Sequence, residues 1–373
     1  MGEFHMSKLV PSLIVSSQLE LTKNRNLPIS GKSLVNIGDI VKSDTTIAEV
    51  ELPGELYVLR LAEETDLDLE IIVKNFKLQV GEEVDRGQEV FVYQGFFGLI
   101  KANVSSPVKG KIEFFTEENC HLGIRAEPKL FQLSAYLAGE VIEASNQNFK
   151  IASKASLLQA VFGVGGEQRG ELYALEVAPD EKLREKHLNS SSLEGKIIFG
   201  GTDPDIAALN FLKHSGINGL ITGSISDKVL TEFLGYQLGL PITGEEDLPF
   251  TLIVVEGFGE LAFGARHLEL LQSLNGECAV INGATQIRAG AVRPEIIVAN
   301  TPLKKDNYQL DASLEVGSLV KIIRHPYFGK IAKVHSLPEQ PQLIETGGTA
   351  RVAELLLEDQ GIVTVPRVNL ELI

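Results

Sequence analysis

The chain has 373 residues, of which 44% are hydrophobic and 23% charged, and its formal net charge is −16. This length allows two or three domains, and the composition is that of an ordinary soluble protein. No uncharged apolar run approaches the roughly 18 residues that a membrane-spanning helix needs, so we predict no membrane insertion. The acidic balance disfavours nucleic acid as a partner, because phosphate binding needs a basic stripe.

Two further features bear on where the protein works. Cys120 and Cys278 lie far apart in the chain, and we expect two reduced thiols rather than a disulfide framework. The start of the chain shows no secretion signal, and residues 1–5 (MGEFH) resemble a cloning remnant that we set aside. These observations predict a cytoplasmic protein.

Residues 6–150 are predicted to form a β-rich domain. Two similar passages each contain a Gly-Asp/Glu-x-Val turn, beginning at Gly38 and at Gly81, and a Ser-Pro-x-x-Gly corner follows at residues 106–110. These motifs resemble the barrel-sandwich hybrid of biotinyl and lipoyl carriers, which is also found in periplasmic adaptors and in the RnfC family of electron-transport subunits. The resemblance implies a rigid β module.

Carriers of this kind present a lysine on a hairpin ahead of the Ser-Pro corner. Counted back from Pro107, that place falls on Leu99, and Lys101 comes too late in the chain. The departure from the carrier pattern implies no covalently attached group, and we predict no cofactor. Phe96 and Phe97 of the same hairpin are interpreted as packing residues, with an exposed recognition tip as the alternative.

Residues 151–305 are predicted to form an α/β domain with a mainly parallel sheet, because short strands alternate with helices across short loops. Asp203 is predicted to cap the first helix and Ser226 the second, which ends before Gly235. The predicted strands are 196–199, 219–221, 250–255, 278–281 and 289–298, and the predicted helices are 205–213, 227–234 and 261–274.

Three glycine-rich turns of this domain are the candidate ligand site. Ligands collect at the carboxyl ends of parallel strands, and free N–H groups at helix starts can hold an anion. The predicted ligand-binding residues are Gly200, Gly201, Thr202, Asp203, Thr222, Gly223, Ser224, Glu256, Gly257 and Gly259, with Arg288 and Arg293 as counter-charges. The alternative is that these residues serve only turn geometry and helix capping, and that Arg288 pairs with Glu256 or Glu295.

The glycine-rich stretch at residues 163–170 is not a dinucleotide-binding fingerprint. After Gly163 and Gly165, the third glycine of that fingerprint would fall on Gln168. The following residues, 171–175, alternate like a strand, and no helix is indicated. We interpret the stretch as a sharp turn that links the first two domains.

Residues 306–373 are predicted to form a small barrel. Apolar residues recur at turn-like intervals between glycines, and the run from Gly317 to Ile322 is followed by Pro-Tyr-Phe-Gly-Lys-Ile-Ala-Lys-Val. This pattern resembles the KOW motif of SH3-like barrels in NusG-type transcription factors and some ribosomal proteins. The candidate partner-binding residues are Lys321, Arg324, Tyr327, Phe328, Lys330 and Lys333.

The predicted fold class is therefore multi-domain α/β plus β. The chain has no phosphate-binding loop, His-Glu-x-x-His, Gly-x-Ser-x-Gly or Cys-x-x-Cys motif, and we predict no catalytic residue and no metal. The favoured function is a non-catalytic scaffold or adaptor that binds protein partners through its β modules. Two alternatives stay open: an enzyme or sensor binding a small anionic metabolite at the α/β crevice, and a transcription- or ribosome-associated factor acting through the barrel.

Overall fold

The chain is mostly β in the parts that the structure, a computed structural model, describes. No helix in these parts has both the length and the apolar run needed to cross a bilayer. The described residues are 13–95, 100–188, 192–236, 248–285, 292–299, 314–322, 326–327, 330–338, 340–343, 349–357 and 361–372.

The first part of the chain folds into short antiparallel strands and two short helices. Its elements are β1 (Val15–Asn26), β2 (Lys32–Ser33), β3 (Ile40–Val41), β4 (Thr46–Leu52), β5 (Leu56–Arg60), α1 (Leu61–Thr65), α2 (Leu69–Asn75), β6 (Glu83–Val84), β7 (Glu89–Gly95), β8 (Ile100–Ser105), β9 (Gly110–Thr116), β10 (His121–Ala126), β11 (Lys129–Ser134), β12 (Gly139–Ala144) and β13 (Asn148–Gln159).

Nine of these thirteen strands build two small sheets and a hairpin. One sheet has the order β5-β10-β9-β6 and another the order β11-β4-β2, while β7 pairs with β8. Ile112, Leu122 and Ile124 are fully buried beneath α1 and α2, together with Leu61 and Ile72 of those helices. Phe96, Phe97 and Leu99, which bear on the predicted hairpin tip, lie outside the described residues.

The middle of the chain supplies seven strands and three helices. They are β14 (Phe162–Val164), β15 (Glu167–Ala174), β16 (Ile197–Phe199), α3 (Ile206–Lys213), β17 (Gly219–Ile225), α4 (Asp227–Leu234), β18 (Thr251–Phe258), α5 (Ala265–Ser273), β19 (Cys278–Asn282) and β20 (Glu295–Ala299). Every residue of β16 and β17 is buried, because α3 and α4 pack on one face of these strands and α5 on the other.

One sheet of eleven strands, which we call the large sheet, joins the middle of the chain to the first part. Its order is β14-β18-β17-β16-β15-β19-β20-β13-β12-β3, and β1 also pairs with β13. The β15–β16, β16–β17 and β17–β18 pairs are parallel and the others antiparallel. The prediction of a mainly parallel sheet therefore holds for only four strands, and the large sheet is mixed.

Two predicted junctions, the stretch 163–170 and the boundary at residue 150, fall on strands of the large sheet. Only Gly165 and Gly166 of the stretch 163–170 lie between strands, since β14 ends at Val164 and β15 begins at Glu167. The stretch therefore joins two strands of one sheet. The predicted domain boundary at residue 150 lies within β13, which pairs with β1, β12 and β20.

The helices of the middle region confirm some boundaries and correct others. The α4 helix spans the predicted residues 227–234 and ends at Gly235, whose φ is 79°. The cap of α3 is Asp205, whose side chain accepts a hydrogen bond from Ala208 N, so the prediction of Asp203 was wrong. The α5 helix begins at Ala265, not at residue 261, because residues 259–264 fold back over the strand ends.

The end of the chain forms a separate antiparallel sheet of five strands, which we call the C-terminal sheet. Its order is β26-β25-β22-β21-β27, and it buries Val320, Val334 and Leu355 in its own core. The strands of this region are β21 (Leu319–Ile322), β22 (Ile331–Ser336), β23 (Gln342–Leu343), β24 (Thr349–Ala350), β25 (Val352–Leu357), β26 (Gly361–Pro366) and β27 (Leu370–Leu372).

Candidate functional site

The predicted glycine-rich turns meet at one edge of the large sheet, where the parallel strands β16, β17 and β18 end. Thr202 Oγ1 lies 2.6 Å from Ser224 Oγ, and Gly223 N donates a hydrogen bond to Gly201 O at 3.0 Å. Thr222 and Ser224 lie inside β17 rather than in a turn, and the strand register shifts between them. The prediction of a turn here was wrong because β17, fully buried, continues along β18 beyond the point where its pairing with β16 ends at Ile221.

Asp203 joins the end of β16 to the start of α4. Its φ of 36° lies in the left-handed region, and its side chain is almost completely buried. One carboxylate oxygen accepts from Ser226 N at 2.8 Å, and the other lies 2.7 Å from the Lys182 ammonium. Asp203 therefore holds the first turn of the second predicted helix instead of capping the first.

Residues 259–264, which we call the covering loop, lie directly on this edge. Ser224 Oγ donates to Gly259 O at 2.6 Å and accepts from Leu261 N at 3.0 Å. A Cβ placed on Gly223 would meet Phe263 N at 2.9 Å. The hydroxyls that were predicted to bind a ligand therefore bond within the chain, beneath the covering loop.

Glu256 lies at the end of β18, in the centre of a buried ionic cluster. Its side chain is 10% exposed. It accepts from Gly264 N at 2.9 Å and lies 2.7 Å from His267 Nδ1 and 2.8 Å from Lys321 Nζ. Burial alone would raise the pKa of Glu256, but the hydrogen bond and charge of His267 and the charge of Lys321 outweigh it and lower the pKa to about 2.

Lys321 connects two candidate sets that the sequence kept apart. It was predicted to bind a partner from the C-terminal sheet, yet its ammonium also donates to Glu256 O at 3.1 Å and its side chain is only 14% exposed. Lys321 therefore ties the C-terminal sheet to the edge of the large sheet. Its charge is neutralised there, so it adds little to any basic surface.

Of the two arginines proposed as counter-charges, only Arg293 is among the described residues. Arg288 lies outside the described residues, and Arg293 is half-buried at the start of the segment that leads into β20. Glu295, the other acid proposed to pair with Arg288, forms an ion pair with Lys23 and accepts from Tyr136 Oη at 3.2 Å. Among the described residues, Glu256 therefore has Gly264, His267 and Lys321 as partners. Glu295 has Lys23 and Tyr136.

The outward face of the C-terminal sheet carries a line of exposed apolar residues. Leu319 pairs with Lys333, Lys333 with Leu356, and Leu356 with Ile362, so these residues lie side by side across four strands. Leu319, Leu356 and Ile362 are 53%, 48% and 53% exposed. We call these three residues, with Lys333 among them, the apolar row.

The remaining candidate partner residues take different positions. Lys333 is exposed, Lys330 is half-buried, and Tyr327 packs on the core of the C-terminal sheet. Arg324 and Phe328 lie outside the described residues. Of the four candidate partner residues that the structure describes, Lys333 lies on the apolar row.

Sequence reasoning did not identify a cleft of about 490 Å³ in the first part of the chain. Lys109 pairs with Glu127 at 2.7 Å and Lys111 with Glu83 at 3.2 Å along its walls. All four side chains are exposed, and exposed pairs of this kind contribute little stability. The lining includes Glu83 and Val84 of the Gly-Asp/Glu-x-Val turn that begins at Gly81, and Lys109 and Gly110 of the Ser-Pro-x-x-Gly corner. Both motifs were interpreted only as signs of a β module, and neither predicted a cleft.

Comparison with known proteins adds no relative to this picture: no family model matches the chain, and neither does any curated protein.

Proposed function

We propose that this chain is a non-catalytic scaffold that binds protein partners through its β modules. The observation that carries the proposal is the apolar row of the C-terminal sheet. Three large apolar side chains, each about half exposed, lie in register across four strands: Leu356 and Ile362 are direct neighbours, and Lys333 separates them from Leu319. Exposed apolar residues that are grouped in this way, rather than scattered singly, mark interaction sites.

The first part of the chain offers a second group of exposed apolar residues. Ile37, Ile40 and Ile142 are 67%, 78% and 44% exposed. Ile40 belongs to β3, the last strand of the large sheet, and Gly38 N donates to Val141 O, so the three lie near one another. β3 is too short to pair with another strand over any length, so these isoleucines offer an apolar contact surface for a partner.

The finer architecture belongs to the same proposal. We infer a barrel-sandwich hybrid within residues 6–150, an α/β domain within 151–305 and an SH3-like barrel over 306–373, with the first two sharing the large sheet across β13. The short strands β2 and β4–β11 and the five-stranded C-terminal sheet support the two β modules. A cytoplasmic location, where Cys120 and Cys278 stay free thiols, is part of this proposal.

The two alternative functions have less support. A metabolite at the α/β crevice has to displace the covering loop, because the hydroxyls of Thr202 and Ser224 already bond within the chain. A nucleic acid bound to the C-terminal sheet would gain little from the charge of Lys321, because Glu256 neutralises it.

A capture experiment with matched variants tests the proposed function. We expect the wild-type protein to retain partners from a native extract that Leu356→Glu does not retain, because a charge in the apolar row opposes desolvation. Leu130→Glu is the control, since Leu130 is 58% exposed on β11 and belongs neither to the apolar row nor to the exposed isoleucine group. Identical partners for all three proteins, identified by mass spectrometry, would contradict the proposal, as would steady turnover of a metabolite by the pure protein.

A further inference from the structure

The dimensions of the apolar row restrict what can lie on it. The row crosses four strands, and neighbouring strands are about 4.8 Å apart, so Leu319 and Ile362 are separated by about 14 Å. A helix advances about 1.5 Å per residue, so three of its turns cover this length with one face. A helix that presents apolar residues at intervals of three and four therefore matches the row.

Lys333 favours a partner that carries a negative charge at the apolar row. It is exposed and lies between Leu319 and Leu356 in the register. Glu354, an acid on the neighbouring strand, accepts a hydrogen bond from Ser336, and none of the described carboxylates forms an ion pair with Lys333. Covering the row removes the Lys333 ammonium from water, which is costly unless a carboxylate meets it.

A second copy that docks through the same row does not meet that requirement. A two-fold contact of the row with itself sets Leu319 against Ile362 and Lys333 against Leu356 of the other copy. Each ammonium then faces an apolar side chain. A different protein can cover the apolar side chains and also place a carboxylate against the Lys333 ammonium.

The row also has a fixed position relative to the rest of the molecule. Lys321 lies on β21 two residues beyond Leu319, and its buried pair with Glu256 holds that strand against the large sheet. Because Lys321 is already neutralised, Lys333 is the exposed charge that lies within the apolar row among the described residues. The face is preorganised, which lowers the entropic cost of binding.

We propose that the apolar row binds an amphipathic helix of a partner protein, and that this helix places a carboxylate against Lys333. The inference rests on the proposed scaffold function and names the chemistry of the partner. It assigns Leu319, Leu356 and Ile362 to the apolar contact and Lys333 to charge selection.

A charge-exchange experiment tests this inference with two stapled helical peptides. Both carry leucines along one face, and they differ only in a glutamate or a lysine placed between those leucines. We expect the wild-type protein to bind the glutamate peptide about tenfold more tightly, as a close charge pair at an interface allows. Lys333→Glu should reverse the preference, and Leu356→Glu should abolish binding of both peptides, as measured by fluorescence anisotropy.

Lys77→Glu is the matched control, because Lys77 is an exposed lysine in the first part of the chain and the charge change is the same. Thermal melting confirms that each variant is folded. Equal binding of the two peptides, or no binding of either, overturns the inference. The inference is also overturned if sedimentation shows that the wild type is a dimer and that Leu356→Glu is a monomer. The row would then be the contact between two copies of the chain. The scaffold function has its own test in the capture of whole partners, so the two proposals can fail separately.

Discussion

Glu256 is held in its charged form by partners from three places in the chain: the covering loop, α5 and the C-terminal sheet. Its pKa of about 2 lies below the ordinary value of 4.5. A group whose pKa is lowered by folding stabilises the protein at pH values above 4.5, and this contribution is lost as the pH falls toward 2. The difference between these two pKa values corresponds to a contribution on the order of 3 kcal/mol to the free energy of unfolding.

The Glu256→Gln variant tests this account of the cluster. We expect its free energy of unfolding at pH 7 to be lower than that of the wild type by about 3 kcal/mol, and the difference to shrink to less than about half by pH 3. Urea unfolding at both pH values measures it, with the exposed Glu51→Gln as control. A difference that does not change with pH would show that the carboxylate charge is not what stabilises the cluster.

At the scale of elements, local signals in the sequence predicted α4 correctly but indicated a turn where β17 continues as a buried strand. The α4 helix has a Ser at its start and a left-handed Gly235 at its end, which are signals that adjacent residues carry. β17 contains Thr222, Gly223 and Ser224, which are typical turn residues, yet all seven of its residues are buried. Its strand neighbours, not its own composition, determine its conformation.

The covering loop depends on the absence of a side chain at Gly223. A methyl group there would approach Phe263 N to 2.9 Å, so Gly223→Ala should displace the loop and destabilise the protein by about 1–3 kcal/mol. We expect faster hydrogen exchange at the amides of Leu261 and Phe263. Gly195→Ala is the control, because Gly195 has a positive φ of 72° but open space around it. Unchanged exchange in Gly223→Ala would mean that the loop is not seated on β17 as described.

At the scale of the whole molecule, the sequence predicted the mixture of β and α/β structure but not how its parts meet. The pairing of Lys321 with Glu256 joins residues 65 positions apart, and no periodicity in either segment reveals it. The apolar row likewise depends on the register of β21, β22, β25 and β26, because a shift of one residue would turn its side chains into the core. Residue types identified Lys321 and Lys333 as candidates, and only the fold separates their roles.

Site-specific photocross-linking tests most directly whether the apolar row is where partners bind. A photoreactive amino acid replaces Leu356 in one protein and Leu130 in another, and each protein is irradiated in native extract. We predict discrete protein adducts from position 356, because this side chain lies in the interface, and none of the same adducts from position 130. Adducts that are absent at position 356, or that are the same at both positions, would contradict docking at the C-terminal sheet.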